Sequence, residues 1–123
     1  ETAAIAAAKD CVTATQAPDT SAMIAAQTKI IECATGAYQT QASFMSGITL
    51  EAYKAANVQV QISQMRAAVE KHNDDGSIDV LVAVRVKINN SAEKDKEVGY
   101  RMRAQMAPVD GKFKVAKLDQ VTS

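Results

Sequence analysis

Arg85, Lys87, Arg101 and Arg103 are the residues whose types and spacing best suit chemistry. Each pair stands two residues apart in a stretch that alternates apolar and polar positions. All four side chains therefore fall on one side of two strands expected to be neighbours. Like charges directly opposite one another cost stability. Two readings follow: a fully solvated face, or a face covered by an acidic partner protein or anionic headgroups. Leu81, Ala83 and Gln105 extend it as a flatter, less charged area, and arginine among small apolar residues is a composition typical of interfaces.

Catalytic chemistry has weaker candidates. The single histidine, His72, stands beside Asn73-Asp74-Asp75-Gly76, where a solvated turn residue is the expectation; a role would need an orienting partner such as Asp74. There is no Gly-rich phosphate loop, no H-x-x-x-H and no G-x-S-x-G. Acid–base catalysis needs carboxylates held together so that their pKa values separate. Asp79 and Asp119 come nearest to the apolar strand faces, and each stands apart from other acids. No catalytic residue, metal ligand set or cofactor is assigned. Cys11 and Cys33, the only cysteines, cannot make a four-ligand zinc site with one histidine, and their spacing is not C-x-x-C. They are either a structural disulfide, the favoured reading, or two buried thiols.

The elements that must position these residues are legible in the alternation. Ile78, Val80, Val82, Val84, Val86 and Ile88 stand two apart, the period of a strand with one apolar face. A slip of one residue would expose all six, so the register is expected to be firm. Val98, Tyr100, Met102, Ala104 and Met106 define the next strand; pairing Val86 with Tyr100 would set Arg85 beside Arg101 and Arg103 beside Ala83. Val58, Val60 and Ile62 shift phase to Met65, Ala67 and Val69, which predicts a β-bulge near Ser63-Gln64. Val109-Asp110-Gly111-Lys112 is a two-residue hairpin signal leading to a last strand through Phe113, Val115 and Leu118 to about Val121. Asn89–Glu97 is expected to be a mobile, exposed loop.

Ahead of the strands, one helix is expected from Glu1 to about Gln16, with Ile5, Ala8, Cys11, Val12 and Thr15 on a stripe. Ala17-Pro18-Asp19 stops it, and Asp19 or Ser21 caps a second helix. That helix buries Met23, Ile30 and Cys33, with Ile24 and Ile31 widening its face, and ends at Gly36. For Cys11 to meet Cys33, the two helices must cross. Residues 38–56 read as two short pieces broken at Ser46-Gly47, anchored by Phe44, Met45, Ile48, Leu50 and Tyr53. Helices followed by a four-stranded meander make an α+β domain.

At 123 residues a single domain with a genuine core is expected, built from aliphatic side chains and five methionines because only 4% of residues are aromatic. A formal charge of zero argues against nucleic acid as a main partner. No apolar run approaches the roughly 20 residues of a membrane span.

Glu32-Cys33-Ala34-Thr35-Gly36-Ala37-Tyr38, Val80–Val84, Tyr100-Arg101-Met102-Arg103 and Val109–Asp119 together resemble the actinobacterial Mce-associated membrane proteins. Phe113 stands where members often carry tryptophan. The resemblance implies an NTF2-like (cystatin-like) fold over the whole of residues 1–123, with helices packed on a curved four-stranded antiparallel sheet. It also implies a membrane anchor ahead of the domain and a place on the extracytoplasmic side of the cell membrane. The implied function is non-enzymatic: stabilising an Mce lipid-import transporter through contacts with its proteins. In that compartment a Cys11–Cys33 disulfide is expected. Other classes share such a fold: periplasmic assembly subunits of secretion systems, small-molecule or lipid-binding domains, and enzymes such as ketosteroid isomerases and dehydratases, the last disfavoured by the lack of inward carboxylates.

Overall fold

Alternation of valines in residues 78–88 does set the middle of the molecule. In the structure, a computed structural model that describes residues 2–121, Ile78, Val80, Val82, Val84 and Val86 are buried and Ile88 half-buried. They belong to β2 (Ile78–Asn89), flanked by β1 (Gln59–His72) and β3 (Lys96–Val109), with β4 (Lys112–Gln120) beyond. The four strands form one antiparallel sheet in chain order. Three helices precede them: α1 (Thr2–Thr15), α2 (Thr20–Cys33) and α3 (Gly36–Ala56). The class is α+β, and Glu1 of the expected first helix lies outside the described residues.

The sheet's apolar face is closed by α1. Ala4, Ala8, Cys11 and Val12, each at most 1% exposed, join the buried valines of β2 and Ala104, Met106 and Val115 in one core. Small residues four apart give α1 a shallow face, so its backbone can approach the valine row closely. The expected bulge is present: the β1–β2 register shifts between Ile62 and Gln64, which turns Met65, Ala67 and Val69 inward. Further shifts between Val69 and Lys71, and between Gln105 and Met106, have no counterpart in any change of alternation. Asp110 and Gly111 both take positive φ, 51° and 82°, the backbone of the predicted tight hairpin.

Five expectations are corrected. The β2–β3 register places Tyr100 opposite Val84, not Val86, a slide of two residues. The reason is the intervening loop, which closes early. Asn90 Oδ1 accepts from the Ala92 and Glu93 amides at 2.8 and 2.9 Å, and Asn89 Oδ1 accepts from Asp95 N at 2.8 Å. That same loop, expected to be mobile, is exposed but pinned, since Ser91 also donates to Ala56 O at 2.9 Å through N and Oγ. Lys96 and Glu97 already belong to β3.

The other three concern the helices. Gly36, with φ 59°, begins α3 rather than ending α2. Cys33 ends α2 because Ala34 bridges to Val115 and Thr35 N donates to Val115 O at 2.8 Å, pulling the chain onto β4. α3 runs unbroken through Ser46-Gly47: Ser46 Oγ donates back to Ser43 O at 3.0 Å, and a lone helical glycine costs only about 1 kcal/mol. Finally, Phe44, Met45 and Ile48 are not anchors but 79%, 40% and 57% exposed, and Ile24 of α2 is 60% exposed. α3 meets the core through Tyr38 and Tyr53, whose hydroxyl donates to Ala17 O at 3.0 Å.

Candidate functional site

Cys11 and Cys33 are joined as a disulfide with a Cα–Cα distance of 5.8 Å. Cys11 lies four residues before the end of α1, and Cys33 thirteen residues into α2. A side-by-side hairpin with level ends would separate them by about 14 Å along the axis at 1.5 Å per residue. The helices therefore cross, as the pairing requires. Asp19 caps α2, accepting from Ala22 N at 2.8 Å, and the Pro18 carbonyl accepts from Val60 N at 2.9 Å, so the inter-helix link is itself tied to β1.

The outward face of the sheet carries the predicted cations in defined rows. Register places Gln64, Arg85 and Gly99 in one row, and Arg66, Ala83 and Arg101 in the next. Beyond them come Ala68, Leu81, Arg103 and Asp119 on one side, and Gln61, Lys87 and Glu97 on the other. Arg85 and Arg101, expected to be direct neighbours, are thus diagonal, which relieves the like-charge opposition. Arg85 Nε lies 3.6 Å from Glu97 Oε1, and Lys87 is half-buried in register with the same glutamate.

Arg103 is the most engaged of the four. Its Nε and Nη2 donate to the two carboxylate oxygens of Glu70 at 2.5 and 3.0 Å, a bidentate fork. Glu70 sits at the second bulge of β1 and reaches across β2, past the row of Leu81. A bulge re-aims the side chain it carries. That fork holds the Glu70 carboxyl below its ordinary value of 4.5; desolvation opposes it, and the charges of Arg103 and Arg101 reinforce it. A depressed carboxylate contributes stability that is present above its unfolded pKa and lost as pH falls through the folded one. In a carboxyl-detected NMR titration, Glu70 is expected to titrate below 4.5, and Arg103→Gln to return it upward. An unmoved midpoint would mean that the fork does not persist in solution.

Arg66, Gln64 and Glu70 belong to this face and are not among the residues that sequence reasoning singles out. A signal for Arg66 exists: once the bulge turns Met65, Ala67 and Val69 inward, Gln64, Arg66 and Ala68 must point outward. With the Gln64 amide oxygen turned toward it, that oxygen accepts from Arg66 Nε and Nη2, both at 3.0 Å. The same alternation puts Glu70 outward, but nothing in it marks the second bulge, so its pairing with Arg103 across β2 has no sequence signal.

A depression of about 500 Å³ opens on this face, lined by Arg66, Arg85 and Arg101 around Ala83 and Gly99. A smaller apolar cleft of about 240 Å³ lies between α2 and α3, among Met23, Ile30, Tyr38 and Met45. Among the described residues no group of three or more His, Cys, Asp or Glu side chains could hold a metal ion. No described helix is long and apolar enough to cross a membrane. His72 is exposed at the end of β1; the turn beyond it is ordered by Asp75, which accepts from Ser77 N and Oγ at 2.9 and 2.6 Å.

These features define an α+β domain with one sealed sheet face and one open, arginine-bearing face. No protein-family model matches the chain, and no curated protein matches it.

Proposed function

We propose that this chain is a non-enzymatic assembly domain of NTF2-like fold, working on the extracytoplasmic side of a membrane as an accessory subunit of an Mce-type lipid-import system. A membrane helix ahead of residue 1 would hold it there. The observation that carries the reading is the contrast between the two sheet faces. α1 fills the apolar face with Ala4, Ala8 and Val12 and leaves that face to packing. The opposite face offers arginines among Leu81, Ala83 and Gly99. Arginine among small apolar residues suits a protein contact, where it gives bidentate hydrogen bonds at modest entropic cost. The Cys11–Cys33 disulfide supports an oxidising compartment, and the sequence resemblance supplies the partner class.

Capture from native membranes tests it. The chain, with whatever precedes it in the full protein, is expected to co-purify Mce components. Arg101→Glu together with Arg103→Glu should reduce capture about tenfold or more, since reversing charges at an interface costs several kcal/mol. Expression and thermal stability must be matched, because Arg103→Glu also breaks the Glu70 fork. Undiminished capture would move the contact to another surface; recovery of secretion-system components instead would overturn the transporter assignment.

A further inference from the structure

The sheet has two edges, and only one of them is guarded along its length. On β4, Ala34 bridges to Val115, Thr35 N donates to Val115 O at 2.8 Å, and Lys112, Lys114 and Lys117 bring charge. A covering segment and lysines are the usual protection of an edge strand. β1 is covered only at its start, where Val60 N donates to the Pro18 carbonyl at 2.9 Å.

That bond fixes the direction of the amides along β1. In an antiparallel ladder a residue's N–H and C=O point to the same side, and the side alternates along the strand. Val60 turns its backbone away from β2, so Ile88 opposite it turns toward β3, and Val86 and Val84 do likewise at steps of two. Met65 lies opposite Val84 and therefore turns its N–H and C=O outward; Ala67 and Val69 follow. The other side of the sheet agrees. Val84 bonds to Tyr100, so Arg101 turns toward β4, and its carbonyl accepts from Val121 N at 2.7 Å. Among the described residues no backbone group pairs with the outward N–H and C=O groups of Met65, Ala67 and Val69.

We propose that this stretch of β1 pairs antiparallel with the same stretch of a second copy of the chain, about a two-fold axis at Ala67. The bulges choose the register. Shifts at Ile62/Gln64 and Val69/Lys71 bracket a regular run, and centring on Ala67 keeps all three outward-facing residues inside it. Ala67 then faces its own counterpart, and Met65 faces Val69 of the second copy. Each such pair exchanges both N–H···O bonds. Arg66 faces the second copy's Ala68, whereas centring on Arg66 would set two guanidinium groups directly opposite. Centring on Ala68 would pair only Ala67 and Val69 before the bulge.

A second copy fits this edge because the edge asks for its own pattern. Met65, Ala67 and Val69 are half-buried at the rim of the core, while the valines of β2 are sealed. An incoming strand must lay apolar side chains beside them and small or polar ones on the outer face, as β1 itself does. Thr13 Oγ1 of α1 lies 3.7 Å from Met65 Sδ, so two copies of α1 would flank the axis on the apolar side. Joining two four-stranded sheets makes one of eight strands, with both arginine faces on the same side. The inference does not depend on the transporter reading.

The test is sedimentation velocity and amide hydrogen exchange on the same chain from about 10 μM to about 1 mM, the range suited to a small interface of the weak class. A concentration-dependent dimer is expected. At low concentration the Met65, Ala67 and Val69 amides should exchange fast and those of Arg66 and Ala68, bonded to β2, slowly; at high concentration the first three should slow as dimer forms. Ala67→Pro removes only an outward N–H, which an edge strand tolerates, and should weaken the dimer about tenfold or more. Ala68→Glu, exposed and opposite the second copy's Arg66, should tighten it about fivefold, and Ala68→Lys should weaken it. The charge variants keep the test decisive if the proline variant does not fold. A chain that stays monomeric at about 1 mM would overturn the proposal. So would a dimer indifferent to Ala68→Glu and Ala68→Lys, or one whose protection falls on α2 and α3 around Ile24, Phe44 and Ile48.

Discussion

Val82→Asp is expected to leave the chain largely unfolded. Val82 is fully buried between the valines of its own strand and the small residues of α1. A carboxylate there would have no hydrogen-bond donor and no counter-charge. Burying such a group costs more than the 4–5 kcal/mol that marks an exceptional substitution, and a domain of this size has only about 5–15 kcal/mol in total. Val84→Asp should behave alike. One residue along, Ala83→Asp points to the opposite face, beside Arg66 and Arg101, and should change stability by less than about 0.5 kcal/mol. Lys87→Gln should be equally mild by the same rule. Urea denaturation of the four variants decides the matter. Equal losses at 82 and 83 would mean that the two faces are assigned the wrong way round.

Loss of the Cys11–Cys33 bond should have the next largest effect. Its 22-residue separation corresponds to about 3 kcal/mol on the chain-entropy account. In a chain of this length that lowers the melting temperature by roughly 10 °C. The Cys11→Ala/Cys33→Ala variant, compared with the parent by calorimetry, should show that drop. Intact mass should show no alkylation before unfolding in reductant and two alkylated cysteines after it. Cys11 is 1% exposed, so native-state reduction must await local opening. Free alkylation of both thiols without reductant would mean that the bond does not form, and the compartment argument would lose its covalent support.

Much of the arginine face is legible in the alternation alone. Arg85, Lys87, Arg101 and Arg103 do share one face, because the period of a strand is two whatever the pairing. For the same reason the two-residue slide between β2 and β3 leaves the face intact while changing every neighbour on it. Arg85 faces Gly99 instead of Arg101, and that single change opens the floor between the arginines. Arg66 follows from the alternation once the first bulge is placed. The Glu70–Arg103 fork does not, since it joins residues 33 apart through a bulge that leaves no trace in the apolar pattern.

Local alternation and turn chemistry therefore determined the strands, their order, the apolar face of β2, the bulge at Ser63-Gln64 and the Asp110-Gly111 hairpin. Each is a short-range consequence of side-chain period or of the backbone that a glycine permits. The helices are less legible because their limits depend on partners distant in sequence. Val115 accepts from Thr35 N and ends α2, and Ala56 accepts from Ser91 and fixes the loop that sets the register. Which apolar residues are covered was also decided only in three dimensions. Phe44, Met45 and Ile48 look like core in sequence, yet the sheet has one apolar face and α1 fills it. α3 is left to pack against α2 and β4, with Phe44 and Ile48 outward and Met45 at the mouth of the α2–α3 cleft. Amphipathic pattern shows that a helix has an apolar side; the area available on the sheet determines which helix buries it.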